Sequence, residues 1–84
     1  VVTILYFASF RERLECATER HPVPPGTATV ASLVDQLRSR GAAWAEAFAP
    51  TASWRVAVNQ RMADAATPIK PGDEVAFFPP VTGG

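Results

Sequence analysis

Residues 70–84 read KPGDEVAFFPPVTGG. Lys70-Pro71-Gly72-Asp73 places proline second and glycine third, as a type II turn requires: φ is fixed near −60° and then turns positive. Glu74 to Phe78 follows as a strand of β-branched and aromatic residues. Pro79-Pro80 ends it, because two consecutive prolines donate no backbone N–H to a ladder and hold φ near −65°. A strand that closes on a rigid pair and then on Val81-Thr82-Gly83-Gly84 needs a sheet to leave from, and the rest of the sequence supplies one.

Upstream, Trp54 to Val58 alternates Trp54, Val56 and Val58 against Arg55 and Ala57, a half-buried strand. Asn59-Gln60 reads as a tight reversal into a short strand, Arg61 to Ala63, with asparagine tolerating φ > 0 better than glutamine does. At the other end of the chain, Val1 to Phe7 (VVTILYF) is apolar in both alternating sets, the mark of a central strand. Ser9 is expected to cap a short helix bearing Phe10 and Leu14 on one face. Ala17 to Val23 returns as a strand with a polar side (Thr18, Arg20), stopped by Pro24-Pro25-Gly26.

The main helix follows. Thr29 is placed to cap it, and Val30, Leu33, Val34 and Leu37 fall at i, i+3, i+4 and i+7. Asp35, Gln36, Arg38 and Arg40 take the opposite face, with Gly41 expected as the stop. Ala42 to Ala49 reads as a second short helical piece presenting Trp44 and Phe48. The order predicts an α+β domain over residues 1–84, in which one main helix with short accessory helices packs across a small mixed sheet. Residues 79–84 form an extended C-terminal tail.

Composition sets bounds on function. The chain has 84 residues, 48% of them apolar, including two tryptophans and five phenylalanines, enough to build one core without staples. Eight basic residues balance eight acidic ones and are interspersed with them. A sequence-independent nucleic-acid binder needs an excess of Lys and Arg, so nucleic acid and anionic membranes are not expected partners. No apolar run approaches the roughly 20 residues of a spanning helix, and no secretory signal is legible. Cys16 is the only cysteine, so a reducing compartment such as cytoplasm is expected. Its only candidate activating base, His21, is read as lying on the opposite face, which favours a packed thiol over a nucleophile.

The sequence offers no Gly-rich phosphate loop, no Cys/His cluster with metal spacing and no Ser/His/Asp set, so no active site within the domain is expected. Glu12, Glu15, Glu19, Asp35, Glu46, Asp64, Asp73 and Glu74 read as solvated surface charges. The C-terminal segment is different. Pro79-Pro80 favours an extended backbone, and six residues from Pro79 to Gly84 can reach roughly 20 Å beyond the sheet. Gly83 and Gly84 carry no Cβ, so a terminal carboxylate there can enter a channel that side chains would block. A frayed terminus is the plainer alternative, but it would have no use for rigid prolines with aromatics at its root.

The run Asp73-Glu74-Val75-Ala76-Phe77-Phe78-Pro79-Pro80-Val81-Thr82-Gly83-Gly84 closely resembles the C-terminal signature of the MoaD family, the small subunits of molybdopterin synthase. Tyr6-Phe7-Ala8, Arg11 to Leu14, the Leu33/Leu37 helix, Val56-Ala57-Val58-Asn59 and Pro71-Gly72-Asp73-Glu74-Val75 extend the resemblance over nearly the whole chain. Thr82 stands where serine is usual, and Gln60 where glycine is usual; neither touches the terminal glycines. The resemblance implies a β-grasp (ubiquitin-like) fold and a sulfur-carrier role. An adenylyltransferase resembling ubiquitin-activating enzymes would use ATP to adenylate the Gly84 carboxylate, with no cofactor bound tightly by this chain. A sulfur donor protein would then convert Gly84 to a thiocarboxylate. The tail would insert into the large subunit of the synthase, within a heterotetramer, and give sulfur to the cyclic pyranopterin precursor of molybdenum cofactor. Catalysis would belong to that complex.

Partner contact is expected from Phe78, Pro79, Pro80, Val81, Thr82 and Gly83, with Phe78 and Val81 anchoring the root of the tail. Both terminal strands are apolar on two faces, and helices can cover only one. The alternative is that Phe78 completes the core. Two other functions share Gly83-Gly84: a sulfur carrier for thiamin or another pathway, and a protein modifier conjugated through Gly84. The Ala42-to-Ala52 segment and Phe77-Phe78-Pro79-Pro80 disfavour the first. Lys70, the only lysine, leaves the second little scope for chain formation.

Overall fold

The computed structural model describes residues 1–49 and 53–80. Its elements are β1 (Val2–Tyr6), α1 (Ser9–Leu14), β2 (Thr18–His21), α2 (Val30–Arg38), α3 (Ala42–Ala47), β3 (Arg55–Val58), β4 (Arg61–Ala63) and β5 (Glu74–Phe78). The strands form one sheet in the order β2-β1-β5-β3-β4. The central pair, β1 and β5, runs parallel with Ile4 opposite Val75 and Tyr6 opposite Phe77, and the other pairs are antiparallel. An α+β mixed sheet with one main helix is the expected fold, and β1 occupies the central position that its two apolar faces predicted.

Val2, Ile4 and Tyr6 of β1 point to one side together with Val56, Val58, Val75 and Phe77. There they share a core with Val30, Leu33, Val34 and Leu37 of α2 and with Phe10, Leu14, Ala47 and Phe48. The i, i+3, i+4, i+7 spacing therefore faces the sheet as read. Thr29 caps α2 as expected, and Ser32 completes a capping box: the Thr29 hydroxyl accepts from the Ser32 N–H at 3.2 Å, and the Ser32 hydroxyl accepts from the Thr29 N–H at 2.9 Å.

Three local expectations are corrected. Ser9 is the first helical residue of α1; Ala8 stands in the cap position, with φ 52° and no side-chain cap bond. Gly41 does not stop α2, which ends at Ser39 in a right-handed conformation. Gly41 instead precedes α3 with φ 151°, a backbone state that side chains disfavour. The strand expected over residues 17–23 pairs only across Thr18–His21.

The turns behave as read. Gly72 has φ 95° and the Asp73 N–H donates to the Lys70 carbonyl at 3.1 Å, closing the type II turn. Asn59 and Gln60 both take positive φ, 51° and 68°, as a two-residue hairpin of the favoured hand demands. Asn59 also ties this hairpin to the start of β5. Its amide donates to Asp73 at 3.0 Å, and its side-chain oxygen accepts from the Glu74 N–H at 3.0 Å. Asp73 is consequently buried, not the solvated charge that its sequence position suggested. It also accepts from the Lys70 N–H and from Lys70 Nζ.

Candidate functional site: the tail root and the open sheet face

β5 delivers the chain to Pro79-Pro80 at the end of the sheet where β1 also ends. The Phe7 N–H donates to the Phe77 carbonyl at 3.1 Å, and Arg55, which opens β3, lies opposite Phe78. The two adjacent phenylalanines face opposite ways, as the period-two geometry of a strand requires. Phe77 is fully buried and packs edge-on against Phe48 (4.9 Å between ring centroids) and Trp54 (5.7 Å), and stacks on Tyr6 (6.2 Å). Such pairs add about 0.5–1.5 kcal/mol each beyond burial, so the last strand is held firmly where the tail departs.

Phe78 is half-buried on the other face, outside the core cluster. The cross-strand register aligns Leu5, Ala76, Ala57 and Met62 in one row of this face, with Phe7 and Phe78 beside it. Phe7 is 47% exposed and Met62 62% exposed. None of these side chains belongs to the helix-covered core. The face thus carries an apolar row that runs to the root of the tail, where Arg55 stands opposite Phe78, and such a row has the character of an interaction site. The expected patch is there, and Met62 extends it. That residue carried no sequence signal, because a single methionine in a three-residue strand has no periodicity to read. Pro79 and Pro80 are half-buried; Val81, Thr82, Gly83 and Gly84 lie outside the described residues.

On the helix side of the tail root, Pro80 borders an open groove of about 560 Å³ together with Val34, Arg38, Phe48, Trp54 and Arg55. Arg38, placed on the solvent face of α2 in the sequence reading, is half-buried there.

A second polar cluster was not legible in the sequence. Arg40 makes a bidentate pair with Glu19, both contacts at 2.7 Å, and the Tyr6 hydroxyl donates to the same carboxylate at 2.8 Å. The Arg40 guanidinium also lies 4.6 Å from the Trp44 ring centroid, a cation–π contact. This cluster fastens the outer strand β2 to the segment between α2 and α3. Glu19 is therefore partly buried and structural, not a solvated charge. Its pKa is held below the usual carboxylate range, first by the Arg40 hydrogen bonds and then by Tyr6, against the opposing effect of burial. Burial, followed by the Glu19 carboxylate, pushes the Cys16 thiol up. That thiol stays protonated at neutral pH, which fits a packed cysteine and not a nucleophile.

The Glu19 pair gives a signed pH dependence. A depressed folded-state pKa contributes stability that is present above the unfolded value, about 4.3 for glutamate, and is lost as pH falls through the folded value. Glu19→Gln is therefore expected to lower the melting temperature at pH 7 and to lose that difference in the acid range. Parallel melts from pH 7 down to the onset of acid unfolding measure it, and a gap independent of pH would contradict the assignment.

Residues 4–84 match the family described as the ThiS family. The chain belongs to that family. Among curated relatives it is 37% identical to the molybdopterin synthase sulfur carrier subunit of Escherichia coli and 34% identical to that of Haemophilus influenzae; in both cases the match covers 100% of each chain. Among solved structures it resembles small archaeal modifier protein 1 of Haloferax volcanii (TM-score 0.76, 27% identity, 95% of this chain and 97% of that one). It also resembles a protein described as molybdopterin converting factor subunit 1 from Pyrococcus furiosus (TM-score 0.77, 28% identity, 95% and 97%). The ubiquitin-like fold and the kinship with molybdopterin synthase sulfur carriers inferred from the C-terminal signature are both upheld.

Proposed function

We propose that this ThiS-family chain is the sulfur-carrier subunit of a molybdopterin synthase, with the carboxyl group of Gly84 as its working group. The full-length likeness to the Escherichia coli sulfur carrier subunit carries the reading. The architecture supports it, since a strand locked by Phe77 ends in Pro79-Pro80 at the margin of the sheet. The groove beside the tail root is bordered by aromatic rings, Pro80, two arginines and one carboxylate, Asp35, and among the described residues no second carboxylate or imidazole lines it. Activation therefore falls to a partner: an adenylyltransferase joins AMP to the Gly84 carboxylate, and a sulfur donor displaces AMP to leave a thiocarboxylate. Such an ion places a soft nucleophile at the end of a narrow arm. The large subunit receives the arm and the open sheet face together, with Phe78 seated at the arm's root. A cytoplasmic setting fits this cycle.

Mass spectrometry of the intact protein, produced with its neighbouring biosynthetic genes, tests the proposal. The expected product is heavier than the plain chain by one exchange of oxygen for sulfur, located at Gly84. A C-terminal carboxylate that stays unmodified under those conditions, with the activating enzyme present, would oppose it. The likeness to small archaeal modifier protein 1 keeps a second reading in play, conjugation through Gly84 to target lysines. ATP-dependent adducts that survive denaturing gels after incubation in cell extract would favour that reading.

A further inference from the structure

An activated acyl group is indiscriminate: any amine within reach competes with sulfur for it. This chain has eight cationic side chains, of which Lys70 alone is lysine and the other seven are arginine. We propose that Arg38 and Arg55 supply positive charge around the root of the tail while withholding an amine from it, so that the chain does not acylate itself when Gly84 is activated. The proposal rests on the reading of Gly84 as an activated carboxyl group.

The reaction avoided is specific. A lysine amine would attack the Gly84 carbonyl carbon, a C–N bond would form, and the C–O bond to AMP would break with the electron pair leaving on AMP. The nitrogen would shed its proton to solvent, and the result would be an internal isopeptide that can never carry sulfur. A guanidinium cannot do this, because its lone pairs are delocalised and it stays protonated.

Geometry puts the arginines within reach and the lysine at its limit. Arg55 is the cross-strand partner of Phe78, and Arg38 and Arg55 border the same groove as Pro80. Four residues, Val81 to Gly84, separate Pro80 from the carboxyl group and extend at most about 14 Å. Lys70 lies at the opposite end of β5, beyond the turn that precedes Glu74. Five strand residues and the two prolines place it roughly 20 Å from Pro80. Its Nζ is also engaged, 3.1 Å from the buried Asp73 carboxylate. Only a tail stretched flat along β5, with that ion pair broken, could meet it.

The test installs the activated terminus chemically, as a Gly84 thioester released from an intein fusion of the full chain, so no activating enzyme is needed. Its outcome is independent of whether the cell loads sulfur on the protein. Wild type, Arg55→Lys and Ser53→Lys are incubated at mildly alkaline pH and followed by intact mass; Ser53 is an exposed residue on the rim of the groove. The wild-type thioester is expected to decay by hydrolysis alone. At least one lysine variant should lose its thioester about tenfold faster or more, as intramolecular attack allows, and yield a product one water lighter than the free acid. Melting curves confirm that each variant is folded, and two sites guard against a defect in either. A lighter product from wild type that resists hydroxylamine, as an amide does and a Cys16 thioester does not, or no such product from both variants, overturns the proposal.

Discussion

Deletion of Gly84 is expected to abolish sulfur donation completely while leaving the melting temperature nearly unchanged. The chemical half follows from the proposed role: a chain lacking the final residue ends at Gly83, and its carboxyl group stops one residue, about 3.5 Å, short of the reacting position. Misplacement by even 1 Å can cost two orders of magnitude in rate, so a full residue leaves no useful reaction. The structural half follows from where the core lies. Its residues run from Val2 to Phe77, and the last strand ends at Phe78. Deleting Gly84 removes none of them. The measurement is reconstituted synthesis of the pyranopterin dithiolene with the large subunit and the activating enzyme, beside thermal melts of both proteins. Full activity in the truncated chain would end the carrier reading, whereas a collapsed melting temperature would mean that the tail also supports the fold.

The second large effect divides two adjacent phenylalanines. Phe77→Ala is expected to cost roughly 3–5 kcal/mol of folding stability, as truncation of a fully buried aromatic does. Phe77 sits among Tyr6, Phe48 and Trp54 with no exposed surface, so its loss leaves a cavity that three rings cannot easily fill. Phe78→Ala should leave the free chain close to wild type, since Phe78 stands outside the core on the open face. It should instead weaken binding to the large subunit by about 2 kcal/mol or more, as buried aromatic anchors do. Denaturant melts and titration calorimetry on the two variants check both halves. Equal stability losses, with unchanged partner affinity for folded Phe78→Ala, would return Phe78 to the core and remove it from the interface.

Much of the architecture was legible because it depends on local chemistry. The type II turn at Pro71-Gly72, the positive-φ pair at Asn59-Gln60 and the Thr29 cap each express a backbone preference that neighbouring residues do not override. The α2 spacing was equally readable, because four apolar residues on one stripe have only one way to be buried. The errors fell where local preference is weak. Ser9 is a good capping residue, yet the exit from β1 starts α1 one residue earlier. Gly41 resembles a stop but serves as the joint between two short helices, where its φ of 151° suits glycine alone.

By itself, then, the sequence determined the central place of β1, the helix that covers one side of the sheet, the tight turns and the family to which the chain belongs. Those properties reside in periodicity, in proline and glycine geometry and in a contiguous motif. The tertiary structure alone decided which carboxylates matter. Glu19 and Asp73 look like any surface acids until long-range packing brings Arg40 and Tyr6 to the first and Asn59 to the second. It also decided the division between Phe77 and Phe78. Alternation says that two neighbours point apart, but only the register against β1 and β3, and the side on which α2 lies, says which is buried. The physical reason is the same in each case: partners distant in sequence are chosen by the fold, and residue type does not name them in advance.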